Sequence, residues 1–382
     1  MITYNKSQKG FTLIELIVAV GIFVIIIGIP YAYFTRQLKH TVKESAISQS
    51  ALEKIPSVEI LRKDIEDAGY GLAWDTTGIT YEEAKSASLD FYSLDPASFN
   101  DAPNPSDTNN HPPRAILGKV DNSSNGFSYL VLKGTSLGLN KACGHWSYID
   151  RNGNLNIWPI NNSANYNNLQ NGDRVIVMDA VDRSIIKNSN KFYFTVSKDA
   201  TQADTNPADY NLPTPPQSTY LIYGVDTSDL GAPFNRVDYR LYKGSDNESE
   251  CAVGTHTLGR AVMRQSDGVM YSYPLLHCVA DFQVGFGLDT DKDGKIDKWI
   301  QDITGLSATD IRNQLKQVRV YILVQNGTKD RNYDYPDNSI YVGDSSIGIG
   351  RDFDLTQITD YKHYRWKLIK LVVEPKNLGV SK

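Results

Sequence analysis

Three cysteines, six histidines and four methionines in 382 residues leave little material for several kinds of chemistry. The histidines show no H-E-x-x-H or other paired metal-ligand spacing. There is no G-x-S-x-G elbow, no P-loop, and no G-x-G-x-x-G turn after a strand-like run. Cys143-Gly144-His145, Cys251 with His256, and His277-Cys278 set thiols near imidazoles. Catalytic pairs usually assemble from distant segments, so structural thiols and no catalytic residue are expected. Positive charge is scarce as well. Lys and Arg number 39 against 44 Asp and Glu, a formal charge of −5, and no basic run stands out. That balance argues against a broad nucleic-acid footprint, so no nucleic-acid partner is expected. So few cysteines fit an oxidising exterior that uses disulfides sparingly. Three cysteines allow three single bridges. Cys251–Cys278 is the favoured one, closing a loop of roughly 27 residues with about 3 kcal/mol of stabilisation in the chain-entropy picture.

What the chain does hold is a 41% hydrophobic composition with 23 tyrosines, ample for a buried core in one large or two ordinary domains. Its most informative stretch is Lys9-Gly10-Phe11-Thr12-Leu13-Ile14-Glu15-Leu16, followed by an almost unbroken apolar run to Pro30. As a helix, Phe11 to Phe34 would span roughly 36 Å, enough for a bilayer. Lys6 and Lys9 precede the run and leave the N-terminus cytoplasmic, with the bulk of the chain outside. A secretory signal would end at a small-residue cleavage site, whereas here Pro30-Tyr31-Ala32-Tyr33-Phe34 follows. One carboxylate, Glu15, sits inside the run. A charge there costs a few kcal/mol and is normally retained for a purpose.

Beyond Pro30 the pattern stays helical but turns polar, with Leu38, Val42, Ile47, Leu52, Ile55, Leu61 and Ile65 at three-to-five-residue spacing. Pro30 and Pro56 should bend or locally release this helix. Asp64-Ile65-Glu66-Asp67-Ala68-Gly69-Tyr70-Gly71 reads as its last turns and a glycine cap. The helical period then disappears. Pro, Asn and Asp clusters over 95–115 predict a surface loop or excursion. Strands are expected over Phe127–Lys133, Arg174–Met178, Lys191–Val196, Thr219–Tyr223, Arg236–Tyr242, Val279–Gly287, Gln317–Val324 and Tyr364–Val373. One further helix is expected near Ala308–Leu315. The fold class is therefore α+β: a long N-terminal helix, with a membrane-spanning and an amphipathic half, carrying a large β-rich head.

Asp289-Thr290-Asp291-Lys292-Asp293-Gly294-Lys295-Ile296-Asp297 is a second stretch with chemistry in it. Carboxylates at positions one, three and five converge when the chain coils tightly, and the glycine at six permits the turn. The Lys295 carbonyl and Asp297 complete the pattern of a hard-cation loop, which selects Ca²⁺. Position twelve is Ile300 rather than glutamate and the flanks read as strand. A calcium-type loop on a β scaffold is expected, not an EF-hand, with the missing ligand from Asp302 or elsewhere. The competing reading is an acidic surface turn.

Gly10-Phe11-Thr12-Leu13-Ile14-Glu15 resembles the N-terminus of type IV prepilins and pseudopilins. Asp64–Gly71, Asn171–Val177, Leu258-Gly259-Arg260 and Val279–Asp289 resemble the PilW-type minor pilins. The resemblance implies a leader peptide over 1–10, cut after Gly10 by a prepilin peptidase, and N-methylation of Phe11. It implies a pilin helix over 11–70, with 11–34 in the membrane or filament core and Glu15 pairing with a neighbouring subunit's terminal amine. A head over 71–382 follows, with a loop excursion at about 95–165 and the calcium-type loop at 289–297. The implied partners are other minor pilins and the major pilin, through the N-terminal helix. The implied location is the bacterial inner membrane, single-pass with the head in the periplasm, then the pilus at the cell surface. The implied role is priming or capping pilus assembly. The alternatives are a minor pseudopilin of a type II secretion system, and a tip-located, calcium-stabilised adhesin.

Overall fold

Helix α1 spans Leu13–Asp67 in the computed structural model, which describes residues 10, 12–86, 94–104, 106–122, 126–158, 168–198, 206–242 and 250–379. Within α1, positions 28, 29, 32, 36, 39, 40 and 42–53 are described by their backbone alone. The chain divides into two units, Met1–Glu53 and Lys54–Lys382. In the first, Pro30 lies inside α1 without ending it. Among the described residues no helix is long and apolar enough to cross a membrane. The run 11–34 read that way in the sequence includes Phe11 and several side chains outside those described.

The second unit begins with the last turns of α1, and Pro56 interrupts them no more than Pro30 does. Leu61 and Ile65, four residues apart and so on one helix face, are wholly buried together with Ala68. Gly69 (φ 85°) and Gly71 (φ 65°) adopt the left-handed conformation that ends the helix. The last carbonyls find donors far along the chain. Lys376 N–H donates to Glu66 O at 3.0 Å, and Asn377 Nδ2 donates to Asp67 O and Ala68 O at 3.4 and 3.3 Å.

The head is antiparallel. Its strands are β1 (Ile116–Val120), β2 (Ser128–Gly134), β3 (Trp146–Ile149), β4 (Arg174–Asp179), β5 (Phe194–Thr195), β6 (Tyr220–Asp226) and β7 (Asn235–Tyr242). There follow β8 (His256–Met263), β9 (Met270–Leu288), β10 (Lys298–Ile300), β11 (Leu315–Asn326), β12 (Ser339–Asp344), β13 (Ile349–Asp354) and β14 (Arg365–Val373), with helix α2 at Ala308–Gln314. The main sheet runs β1-β2-β7-β8-β9-β11-β14, with β10 also on β9. β3-β6-β4-β5 form a second sheet and β12-β13 a ribbon. Strand period sorts side chains between two cores. Ile176 and Met178 of β4 join the large core, while Val175 and Val177, on the opposite face, join a smaller one with Ile149, Phe194, Tyr210 and Ile222.

β9 organises the main sheet. Its first half pairs with β8 and its second with β11. The change falls at Cys278, which has φ 55° and is bonded to Cys251 with Cα atoms 5.1 Å apart. The second half, Val279–Leu288, is buried throughout. The β12–β13 ribbon covers it closely: a Cβ at Gly285 would meet Ile349 Cγ2 at 2.6 Å.

Residues 95–165, expected as a loop excursion, contain β1, β2 and β3; the 95–115 stretch is irregular, exposed at 104, 106 and 108–110, and anchored inward at Pro96, Phe99, Pro113 and Ala115. Phe99 is fully buried and stacks on Tyr129 at 4.7 Å. Beneath it lies a buried charge network. Lys133 Nζ meets Glu83 Oε2 at 2.6 Å and Asp101 Oδ2 at 2.7 Å. Arg236 reaches both oxygens of Asp238 at 2.8 Å and Asn100 Oδ1 at 2.7 Å. Glu83 Oε1 accepts the N–H groups of Asp101 and Ala102. Polar residues that look solvated in sequence are therefore interior, each with opposite charge or N–H donors to offset desolvation. Lys133→Met should remove the closest cation from both Glu83 and Asp101, leaving them Arg236 and Arg114, and lower stability by about 3 kcal/mol. Urea unfolding of the full chain in detergent, followed by circular dichroism, measures this.

Candidate functional site

The N-terminal motif is described from Gly10, which is exposed, and from Thr12 onward; Phe11 lies outside the described residues. Thr12 and Glu15 satisfy each other across the first turn of α1. Glu15 Oε2 accepts Thr12 N–H at 3.0 Å and Thr12 Oγ1 at 2.9 Å, and Thr12 Oγ1 accepts Glu15 N–H at 3.4 Å. This reciprocal cap uses a side chain three residues into the helix to occupy donors that the helix start leaves open. Around it the described apolar side chains are bare, from Leu13 (78% exposed) through Phe23 and Ile26 to Phe34 (61%). So many exposed apolar side chains on one helix mark a surface suited to contact with another apolar surface.

The other end of α1 holds a second constellation. Asp64 Oδ2 accepts Tyr239 O–H and Arg260 Nε, each at 2.6 Å. Arg260 Nη2 continues to Leu137 O at 2.9 Å. Burial works against the Arg260 charge, but the Asp64 carboxylate beside it raises its pKa above the usual arginine value. Burial with Asp64 alongside pushes the Tyr239 phenol well up. Asp64–Gly71 and Leu258–Arg260, two segments read separately in the sequence, thus meet in one ion pair. Gly259 belongs to the same geometry, because a Cβ there would lie 2.5 Å from the Tyr242 ring. Nearby, Lys54 Nζ donates to Gln325 O at 2.7 Å, and Ser57 Oγ donates to Leu275 O. Sequence reading supplied the segments but not their pairing.

The acidic loop is the hairpin between β9 and β10, closed by the Lys298–Leu288 pair. Carboxylate oxygens of Asp289, Asp291 and Asp297 lie within 4.8 Å of one another. Asp289 is buried, and the other two are exposed. Asp297 Oδ2 accepts Thr290 N–H, Thr290 Oγ1 and Asp291 N–H at 3.0, 2.8 and 3.2 Å. Asp289 Oδ2 accepts Gly294 N–H at 3.0 Å and faces Lys316 Nζ at 3.3 Å. Burial pushes the Asp289 carboxyl up, and the Lys316 ammonium and Gly294 N–H more than offset this, so it sits below the usual carboxylate range. Asp293 stands outside this trio, and its Oδ1 accepts Lys295 N–H at 2.7 Å. Asp302 also stands apart, capping Thr304 through its Oδ1. Nothing in the sequence marked Lys316.

The remaining thiol and aromatic residues sit in packing roles. Cys143 is free and buried; its Sγ donates to Val225 O at 3.1 Å and accepts Asn235 Nδ2 at 3.3 Å. His145 does not face it, since Nδ1 lies 2.7 Å from Asp173 Oδ2. Trp146 and Trp158 pack against each other at 4.4 Å, and Trp299 lies under Arg319. Burial pushes the Cys143 thiol up to about 11. At pH 8 about one thiol in a thousand is then ionised, so Cys143 should resist iodoacetamide until the chain is unfolded. The protonated form is favoured in the fold, so this contribution to stability is complete below about pH 9 and is lost as pH rises through 11. Labelling rates across pH 7–11, with and without denaturant, measure both.

Two families match the chain. The prokaryotic N-terminal methylation motif covers residues 5–29, and type IV pilus-assembly protein W covers residues 243–377. The second match takes in every strand from β8 to β14, including Arg260 and the acidic hairpin. No curated protein and no solved structure matches. Together the two matches make the chain similar to type IV pilin-like proteins at its N-terminus and over its last third. Its methylation motif associates it with a membrane or a pilus, and pilin-like families are structural.

Proposed function

We propose that this chain is a minor type IV pilin of the PilW kind, a non-enzymatic subunit that primes or caps pilus assembly together with other minor pilins. The observation that carries this reading is the pairing, in one chain, of an N-terminal methylation motif with a segment, 243–377, matched by a pilus-assembly family. The same family description favours a pilus over a secretion-system pseudopilin. A prepilin peptidase cuts after Gly10 and the new terminus at Phe11 is methylated. The apolar side chains from Leu13 to Phe34 then have two environments in turn. They lie first in the inner membrane, with the head in the periplasm, and then against the helices of other minor pilins and the major pilin. The amphipathic second half of α1 follows into the filament core. The bulky head suits a subunit used sparingly, at a start or an end, rather than one repeated along a thin shaft.

Glu15 supplies specificity for the transfer. Its carboxylate is satisfied by Thr12 within its own chain, so a neighbouring subunit's terminal amine competes for an oxygen already oriented at the helix start. A charge-assisted bond in a water-poor filament core contributes about 1.5–3 kcal/mol. Glu15→Ala should leave the amount of membrane-inserted protein unchanged and reduce its share in sheared filaments about tenfold or more. Immunoblots of membrane and filament fractions compare the two. Equal incorporation of the variant would contradict the pairing.

A further inference from the structure

We propose that the β9–β10 hairpin is a calcium site built on Asp289, Asp291 and Asp297, and that Lys316 is the counter-ion that holds Asp289 when no cation is bound. The inference concerns the head alone and stands apart from the filament reading.

Acidic hairpins are common without a cation. What distinguishes this one is a buried oxygen with nothing to bond. Asp289 is 1% exposed, and while its Oδ2 has Gly294 N–H and Lys316, its Oδ1 has no hydrogen-bond partner. Folded proteins rarely leave a buried carboxylate oxygen unsatisfied, and an exception asks for a missing donor or a cation. The other oxygens within reach are acceptors too. Asp291 and Asp297 each bring a carboxylate oxygen within 4.8 Å of Asp289, so the trio gathers oxygen acceptors at one point. A cation answers all three at once.

The donor set decides which cation. Every candidate ligand is a hard oxygen, and thiol and imidazole groups are absent from the trio, which excludes the softer transition metals. Mg²⁺ demands a near-ideal octahedron and dehydrates reluctantly. Ca²⁺ accepts six to eight oxygens in irregular geometry, including main-chain carbonyls such as that of Lys295, with water completing the shell. The trio is also held in place before binding. Asp297 is fixed by three donors from Thr290 and Asp291, and Asp289 leaves the end of a buried strand.

Lys316 gives the site its built-in competitor. Its ammonium lies 3.3 Å from Asp289 Oδ2 and also donates to the Gly379 carbonyl. It therefore keeps a partner when Ca²⁺ takes over the carboxylate. A single lysine cannot neutralise three carboxylates, and its positive charge repels an incoming cation, so the affinity should be modest, with Kd about 10⁻⁴–10⁻³ M as in extracellular modules.

The test uses the full chain in detergent, stripped with EDTA and titrated with CaCl₂ or MgCl₂. Calorimetry and thermal unfolding are the readouts. Millimolar CaCl₂ should raise Tm by a few degrees and MgCl₂ by clearly less. The exposed substitutions Asp291→Asn and Asp297→Asn, which spare the buried strand, should abolish the Ca²⁺ response while the calcium-free Tm holds. Lys316→Met should bind Ca²⁺ about tenfold more tightly. A wild-type chain that neither releases heat nor shifts Tm with Ca²⁺ would overturn the site, as would a full shift in the Asp291→Asn, Asp297→Asn variant. Unchanged or weaker Ca²⁺ binding by Lys316→Met would overturn the counter-ion role.

Discussion

The carboxylate of Asp64 fixes where the end of α1 meets the head. One of its oxygens receives both the Tyr239 hydroxyl and the Arg260 guanidinium at 2.6 Å, drawing on β7 and β8, the two neighbouring strands that carry them. Apolar burial by Leu61, Ile65 and Ala68 supplies attraction, but an apolar face alone tolerates sliding by a turn. A short charge-assisted bond in a poorly solvated setting does not, since displacing it would leave Arg260 and Asp64 partly buried and unpaired. The C-terminal segment completes the arrangement: Lys376 and Asn377 occupy the carbonyls that the helix leaves open. First and last parts of the second unit are thereby tied to the same few residues.

The opposite end of α1 has the reverse problem. From Leu13 to Phe34 the described apolar side chains face outward with nothing against them, a surface that water would penalise heavily. A lipid bilayer and a bundle of sister helices both relieve that penalty, which lets one segment serve in both. In the reading proposed above, Glu15 is the group whose preference differs between the two, because it would find an ionic partner only where another subunit is present.

Much of this was legible in the sequence where local chemistry decides the outcome. The capped end of α1, strands β2, β4, β7, β11 and β14, and helix α2 follow from period, turn residues and caps. Lys191–Val196 shrank to a two-residue strand, and only the second half of β9 was anticipated. Pro274 hid the first half: it removes a ladder donor, and the fold tolerates it at an irregularity where β9 passes Gly259 of β8. β8 was obscured by Gly259 itself, whose role is clearance for the Tyr242 ring. The stretch 95–115 is loop in chemistry and in structure, but its inward anchors were hidden for a different reason. Its prolines, asparagines and aspartates are loop chemistry, but the partners that draw Asp101 and Asn100 inward, Lys133 and Arg236, lie far along the chain. Long-range charge pairing leaves no periodic trace. The same holds for Lys316 beside Asp289 and for Arg260 beside Asp64.

The central claim is that the apolar start of α1 is a processed tether that ends in a filament. Intact-mass and peptide mass spectrometry of sheared filaments addresses it in one measurement. The expected chain begins at an N-methylated Phe11, lacks residues 1–10, and is present at a small fraction of the major subunit. A chain that still begins at Met1, or that is confined to the membrane fraction and missing from filaments, would contradict it.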